Sequence, residues 1–131
     1  MKCTEKFKLP TGLLERHRTV LDIVTKEAES CCCFTGGYNR YAKGMGSVLC
    51  TGTREQLDTA YREEGRGLDR LLRFFTPTEV AALLGFPSQF SFPASVSTKQ
   101  QYKLLGNSIS VPVVALLILT YPAPPQVSDP T

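Results

Sequence analysis

One histidine, His17, occurs in 131 residues. A catalytic or zinc-binding cluster built on several imidazoles is therefore excluded. A lone histidine beside apolar neighbours is expected to be a core or boundary residue. Charge of one sign is not in large excess either: 15 Lys and Arg stand against 12 Asp and Glu, a net charge of +3. That balance permits nucleic-acid contact but does not require it. Cysteine occurs five times without a disulfide pattern. Cys31, Cys32 and Cys33 are adjacent, adjacent cysteines rarely bridge one another, and an odd count leaves one free. An intracellular, reducing location, the cytoplasm and/or nucleus, is the expectation. No uninterrupted apolar run approaches the ~20 residues a membrane span needs, and the polar start Met1-Lys2-Cys3-Thr4-Glu5-Lys6 is unlike a secretory signal. No membrane is expected as a partner, and no internal repeat occurs. With 42% hydrophobic and 21% charged residues, most of the chain is expected to fold, nominally as one domain.

The stretch 104–119 organises what is there. Gly106 and Asn107 leave the right-handed helical region most readily, so a turn is predicted. Ser108 or Ser110 can cap a new helix, with Pro112 tolerated in its first turn. From Val113 to Leu119 every residue is apolar. A helix apolar all round must be packed between other elements. The rest of the chain does not supply enough of them.

Earlier segments read as short elements. Residues 1–10 form an irregular lead-in ending at Pro10. Leu13, Leu14, Val20, Leu21 and Val24 recur at helical spacing, which predicts a helix over 11–24. Cys33-Phe34-Thr35 and Ser47-Val48-Leu49-Cys50 read as two strands of a glycine-rich hairpin. Between them, Gly36-Gly37-Tyr38-Asn39-Arg40-Tyr41 and Gly44-Met45-Gly46-Ser47 are turns. Such a loop can bring backbone, stacking tyrosines and the cations Arg40 and Lys43 to a ligand. It can equally be a hairpin with tyrosines packed on its base. Thr53-Arg54-Glu55-Gln56 is a capping box opening a helical stretch over 53–72, broken by Gly65 and Gly67. Thr76-Pro77-Thr78-Glu79 caps a helix over 77–84 that Gly85 ends, with Phe86, Phe90 and Phe92 folding back as a satellite core. Thr98-Lys99-Gln100-Gln101 is read as a further capping box, opening a helix over 99–105. The proline-rich tail, 122–131, is expected to be disordered. The fold class is thus an α+β fragment, mostly short helices with a small glycine-rich hairpin region.

Three chemistries come into question for these residues. Zinc ligands are usually spaced as Cys-x(2–4)-Cys pairs, whereas Cys31–Cys33 are adjacent and Cys3, Cys50 and His17 are scattered, so no metal site is predicted. A reactive thiol at Cys33 beside Arg40 lacks a nearby histidine. The third rests on a family likeness. Cys33-Phe34-Thr35-x-Gly37-Tyr38-x-x-Tyr41-x-x-Gly44-x-Gly46-Ser47 resembles the target-recognition signature of the tRNA cytosine-5 methyltransferases, RNA-acting enzymes built like the DNA cytosine-5 methyltransferases. Leu72-Arg73-Phe74-Phe75-Thr76-Pro77-x-Glu79-x(4)-Leu84-Gly85-Phe86-Pro87 resembles that family's ninth block. Gln101-x-Lys103-Leu104-Leu105-Gly106-Asn107-Ser108-x-x-Val111-x-Val113-Val114-Ala115 resembles its tenth. The approach Val20-Leu21-Asp22-Ile23-Val24 also fits. The likeness covers residues 10–121; Met45 stands where threonine is usual.

The resemblance implies a mechanism and assigns parts. In the family a Pro-Cys-Gln cysteine attacks C6 of a flipped-out cytosine, a Glu-Asn-Val glutamate supports N3, and C5 takes the methyl of S-adenosylmethionine. The 131 residues contain no Pro-Cys dipeptide, no Glu-Asn-Val and no Gly-rich cofactor loop after a strand. Cys33 matches the recognition-region cysteine, not the nucleophile, so no catalytic residue is assigned. The chain is identified as the C-terminal part of an α/β S-adenosylmethionine-dependent methyltransferase fold, expected to be inactive alone. The implied division is 1–75, part of the small recognition domain; 76–106, ninth-block helix and hinge; 107–121, a turn and helix returning to the absent catalytic domain; and 122–131, tail. Asn107, Ser108 and Ile109 are the implied cofactor-side residues. Thr35, Tyr38, Arg40 and Tyr41 are the candidate RNA contacts, with Lys43 as a phosphate partner. Thr76, Pro77 and Glu79 are given no chemical role. Implied partners are tRNA, possibly DNA, and an N-terminal catalytic half. The alternatives are a non-catalytic RNA-binding module and a fragment without independent function.

Overall fold

The computed structural model describes residues 5–40 and 44–121. Its sheet is assembled from three short segments far apart in the chain: β1 (Ile23–Val24), β2 (Val48–Cys50) and β3 (Leu72–Arg73). β2 lies in the middle, parallel to β1 (Ile23 opposite Val48) and antiparallel to β3 (Cys50 opposite Leu72). All three β2 residues are buried, so both of its faces are covered. An isolated bridge between Lys8 and Arg73 ties the lead-in to the sheet. There Phe7 and Leu9 are buried and Glu5–Phe7 forms a 3-10 turn.

The α+β class holds, but the strands do not pair as the sequence implied. Cys33-Phe34-Thr35 carries no strand. Thr35 N–H donates to Met45 O at 3.0 Å, and the ladder goes no further because a side chain takes over. The Cys32 N–H donates to Ser47 Oγ (2.8 Å), which in turn donates to the Asp22 carboxylate. Ser47 is fully buried and thereby satisfied. The helix expected over 11–24 also stops early. α1 covers Thr11–His17, and β-branched Ile23 and Val24 pair with β2 instead.

Three of the remaining helices begin where side-chain caps dictate. α2 (Arg54–Arg62) and α4 (Pro77–Leu83) open on reciprocal capping boxes at Thr53/Gln56 and Thr76/Glu79. Glu64, Gly65 and Gly67, all at positive φ, separate α2 from α3 (Leu68–Leu71). α5 spans Thr98–Gly106, and its cap lies one residue earlier than the sequence implied. Ser97 caps it and Gln100 reciprocates, while Gln101 donates to Val96 O. α6 (Val111–Thr120) starts with Pro112 in its first turn and no side-chain cap on Ser110.

One hydrophobic cluster runs through the described residues, from Phe7, Leu9 and Leu14 through Tyr38, Met45, Val48, Leu57, Leu68 and Leu72 to Val80, Tyr102 and Leu105. Phe86, Phe90 and Phe92 pack against it as a run of tilted and edge-on rings, centroids 4.7 and 5.0 Å apart. α6 contributes no buried residue. Leu116, Ile118 and Leu119 are 61%, 70% and 82% exposed. Two points anchor its start: Val111 N–H donates to Leu84 O at 2.8 Å, and Pro112 lies against Gly85. The stretch Thr98–Thr120 is long and apolar enough, by length and composition, to cross a membrane. It is not one helix, however. Residues 107–110 are non-helical, and α5 seats Tyr102 and Leu105 in the core. α6 alone has ten residues, about 15 Å at the helical rise, half of a bilayer's hydrocarbon core of about 30 Å.

Candidate functional site

The turn after Phe34 and the turn after α5 touch. A Cβ placed on Gly106 would overlap Gly36 N and Thr35 C, so only glycine lets the two backbones meet. From the other side, a Cβ on Gly36 would lie 3.6 Å from Asn107 Oδ1 and from Lys103 O. Of the implied residues, Thr35 on the RNA side and Asn107 on the cofactor side are thereby brought close, beside the two touching glycines, and this contact is the loop edge.

Tyr38 holds this edge to the core and takes a role other than the one implied for it. It is 1% exposed, so its ring has no face free for a base. Its hydroxyl donates to Ser47 O (2.7 Å) and accepts the Phe75 N–H (2.9 Å). The ring meets Phe34, Phe74 and Tyr102 edge-on at 4.9, 5.4 and 5.1 Å. Tyr102 donates to Phe75 O at 2.5 Å. Burial pushes both phenols well above the usual tyrosine range. Met45, at the position where threonine is usual, is buried in the same cluster.

Thr35 and Arg40 are exposed. Arg40 follows Asn39, whose φ of 67° turns the chain, and its N–H donates to Gly37 O. Tyr41 and Lys43 lie outside the described residues, as does the tail 122–131. On the cofactor side, Asn107 and Ile109 are exposed and Ser108 is half-buried. The Asn107 and Ser108 N–H groups donate to Leu104 O and Leu105 O, and the turn is pinned beyond by the Val111 bond to Leu84.

Three thiols stand exposed beside this edge, Cys31, Cys32 and Cys33, while Cys50 is buried. Burial, then the Asp22 carboxylate and Cys33, push the Cys31 thiol up; the hydrogen bond with Asp22 and its charge do the same for Cys32. Both are thus poorer thiolates than a free cysteine. Among the described residues no group of three His, Cys, Asp or Glu could hold a metal. His17 is exposed rather than packed.

Sequence reasoning missed the polar links behind the edge. Arg73 grips Glu79 bidentately, at 2.8 and 2.7 Å, and also donates to Phe74 O. Glu79 accepts the Thr76 N–H at 2.8 Å as well. Burial would raise the Glu79 carboxyl, but Arg73 and the Thr76 N–H outweigh it and hold the group below its ordinary value. Thr76, Pro77 and Glu79 therefore have full structural employment. The Thr76-x-x-Glu79 box was visible in sequence; the partnership with Arg73 was not, since it joins β3 to α4.

Residues 8–120 match the family described as C-5 cytosine-specific DNA methylase. The chain is 47% identical over 121 residues to the tRNA (cytosine(38)-C(5))-methyltransferase of Bos taurus, covering 86% of this chain and 31% of that protein. To the enzyme of the same name from Homo sapiens it is 43% identical over 122 residues, again 86% of this chain and 31% of that protein. The crystal structure of S. pombe Dnmt2 methyltransferase superposes with a TM-score of 0.82 at 35% identity, over 92% of this chain and 38% of that one. The chain thus spans about a third of the length of these relatives.

Proposed function

The chain belongs to the C-5 cytosine-specific DNA methylase family, and from that premise we propose that it is the C-terminal portion of a tRNA cytosine-5 methyltransferase that acts only with a catalytic N-terminal part. The observation that carries this reading is α6. Ten residues, nine of them apolar or proline, follow the tenth-block turn and bury none of their side chains. Leaving a valine, leucine or isoleucine in water rather than buried costs about 1.5–3 kcal/mol each. Such a helix is built for a surface outside this chain. The nucleophilic cysteine and the N3-supporting glutamate belong to that other part, because the 131 residues hold neither block.

S-adenosylmethionine would supply the methyl group when bound. Asn107 offers an exposed amide with donor and acceptor, Ser108 a hydroxyl and Ile109 an apolar face 58% exposed. These suit one wall of a pocket for a polar nucleoside cofactor. Thr35 and Arg40 would face the RNA, with Tyr41 and Lys43 beside them in sequence, while Tyr38 sets the position of that loop from within the core. The relatives' names point to tRNA cytosine as substrate. The division into recognition segment 1–75, ninth-block segment 76–106 and returning turn and helix 107–121, and the location in cytoplasm and/or nucleus, stand as parts of the same reading.

Labelled methyl transfer into tRNA tests it. The chain alone is expected to transfer none, and a mixture with the N-terminal catalytic part of the S. pombe relative is expected to regain transfer. Transfer by the chain alone would contradict the reading. A second reading, an RNA-binding module without catalysis, is favoured by the exposed Thr35 and Arg40 on a glycine-pinned loop. It requires saturable, salt-sensitive tRNA binding by the chain alone whether or not a catalytic part is added.

A further inference from the structure

Away from the Gly36–Gly106 contact, the outer side of the loop meets the end of α1. A cavity of about 360 Å³ lies there, lined by Pro10, Gly12, Leu13, Arg16, His17 and Arg40. The side chains that bring charge or hydrogen-bond donors to it are two arginines and a histidine from two separate elements. No acidic side chain lines it among the described residues. Three of the arginines outside it are engaged within the described residues. Arg73 grips Glu79, Arg54 pairs with Asp58, and Arg18 donates to Glu64 O. No side-chain hydrogen bond or ion pair engages Arg16 or His17 among the described residues. The last turn of α1 favours cations through the helix dipole, which accounts for two basic residues there but not for their meeting Arg40 across a hollow.

We propose that this hollow is a phosphate subsite, in which Arg16 and His17 of α1 join Arg40 to hold the sugar–phosphate backbone of a nucleic acid. The inference rests on the RNA-facing reading of the loop and extends it to a helix outside the recognition signature. Guanidinium groups present planar donor forks that match phosphate oxygens, and imidazole adds one or two donors. Contacts of this kind position a nucleic acid without reading its sequence. Gly12 at the rim leaves the approach open: a Cβ there would meet no atom within 4 Å.

The test is tRNA binding by the full chain, titrated at several salt concentrations. Removing one cation that neutralises a phosphate should lower the slope of log K against log salt by about 0.7–0.9. Arg16→Gln is expected to weaken binding several-fold and flatten the slope by about that amount, and Gly12→Glu, which plants a carboxylate at the rim, to weaken binding as well. Arg62→Gln, on α2 and outside the hollow, is expected to change neither. Wild-type slope and affinity in both Arg16→Gln and Gly12→Glu would overturn the subsite while leaving the RNA reading in place. No tRNA binding by the unmodified chain, either alone or together with the N-terminal catalytic part of the S. pombe relative, would overturn both. A parallel titration uses inorganic phosphate. Saturable phosphate binding abolished by Arg16→Gln, with tRNA binding untouched, would put a free anion in the hollow and overturn the assignment to a nucleic-acid backbone.

Discussion

Tyr38 joins the loop to the rest of the molecule through its ring and its hydroxyl oxygen. Its hydroxyl is buried, donates to Ser47 O and satisfies the Phe75 N–H. Tyr38→Phe keeps the ring contacts but strands that N–H, which costs about 1–3 kcal/mol for a buried group. A loss of that size in unfolding free energy is expected, read as a lower denaturant midpoint at unchanged slope. Ionisation gives two further tests. Burial raises the Tyr38 and Tyr102 phenols in the folded chain, so the unfolded chain sheds those protons first. Stability is fully present below the ordinary tyrosine value of about 10 and is lost as pH rises above it. Glu79 works in the opposite direction. Its folded carboxyl is held below the ordinary value, so its contribution is present above about pH 4.3 and lost as pH falls through the folded value. Glu79→Gln is expected to shrink the acid-induced fall in unfolding midpoint; an unchanged acid limb would show that the Arg73 pair contributes nothing.

At the scale of elements, the local punctuation was legible and the long-range pairing was not. The boxes at Thr53/Gln56 and Thr76/Glu79, the stop at Gly85 and the break at residues 107–110 follow from residue types a few positions apart. The helix expected over 11–24 failed at its second half because Ile23 and Val24 gain more by pairing with Val48 and Leu49, over twenty residues away, than by continuing α1. No periodicity within the segment announces such a partner. The hairpin failed for a related reason: the Ser47 side chain, anchored by Asp22, takes the bond a second strand would have offered. Tyr38 matched the signature yet lies in the core, since a motif gives residue identity without saying which way the ring turns. The contact between the Gly36 and Gly106 turns yields a sharp expectation. Gly106→Ala forces a methyl into Thr35 and Gly36 backbone, and overpacking of this kind costs about 1–3 kcal/mol or more. Gly12→Ala, inside α1 with open space around it, is expected to leave thermal stability unchanged or raise it by up to about 1 kcal/mol. Equal melting temperatures for the two variants would contradict the described contact between the turns.

For the whole molecule, the core and α6 are separable in energy. The cluster from Phe7 to Leu105 is built without α6, so ending the chain after Ser110 is expected to lower stability by no more than about 1 kcal/mol, the worth of a hydrogen bond such as Val111 to Leu84. The same shortening should reduce binding of a hydrophobic dye, since Leu116, Ile118 and Leu119 are removed with it. Hydrogen exchange in α6 tests the central claim most directly, measured at a dilution where the chain is monomeric and again with the N-terminal catalytic part of the S. pombe relative present. Amides of residues 111–120 should exchange fast in the chain alone and become strongly protected in the mixture. Slow exchange there in the isolated monomer, matching the amides of β2, would mean that the helix is already covered and that the account is wrong.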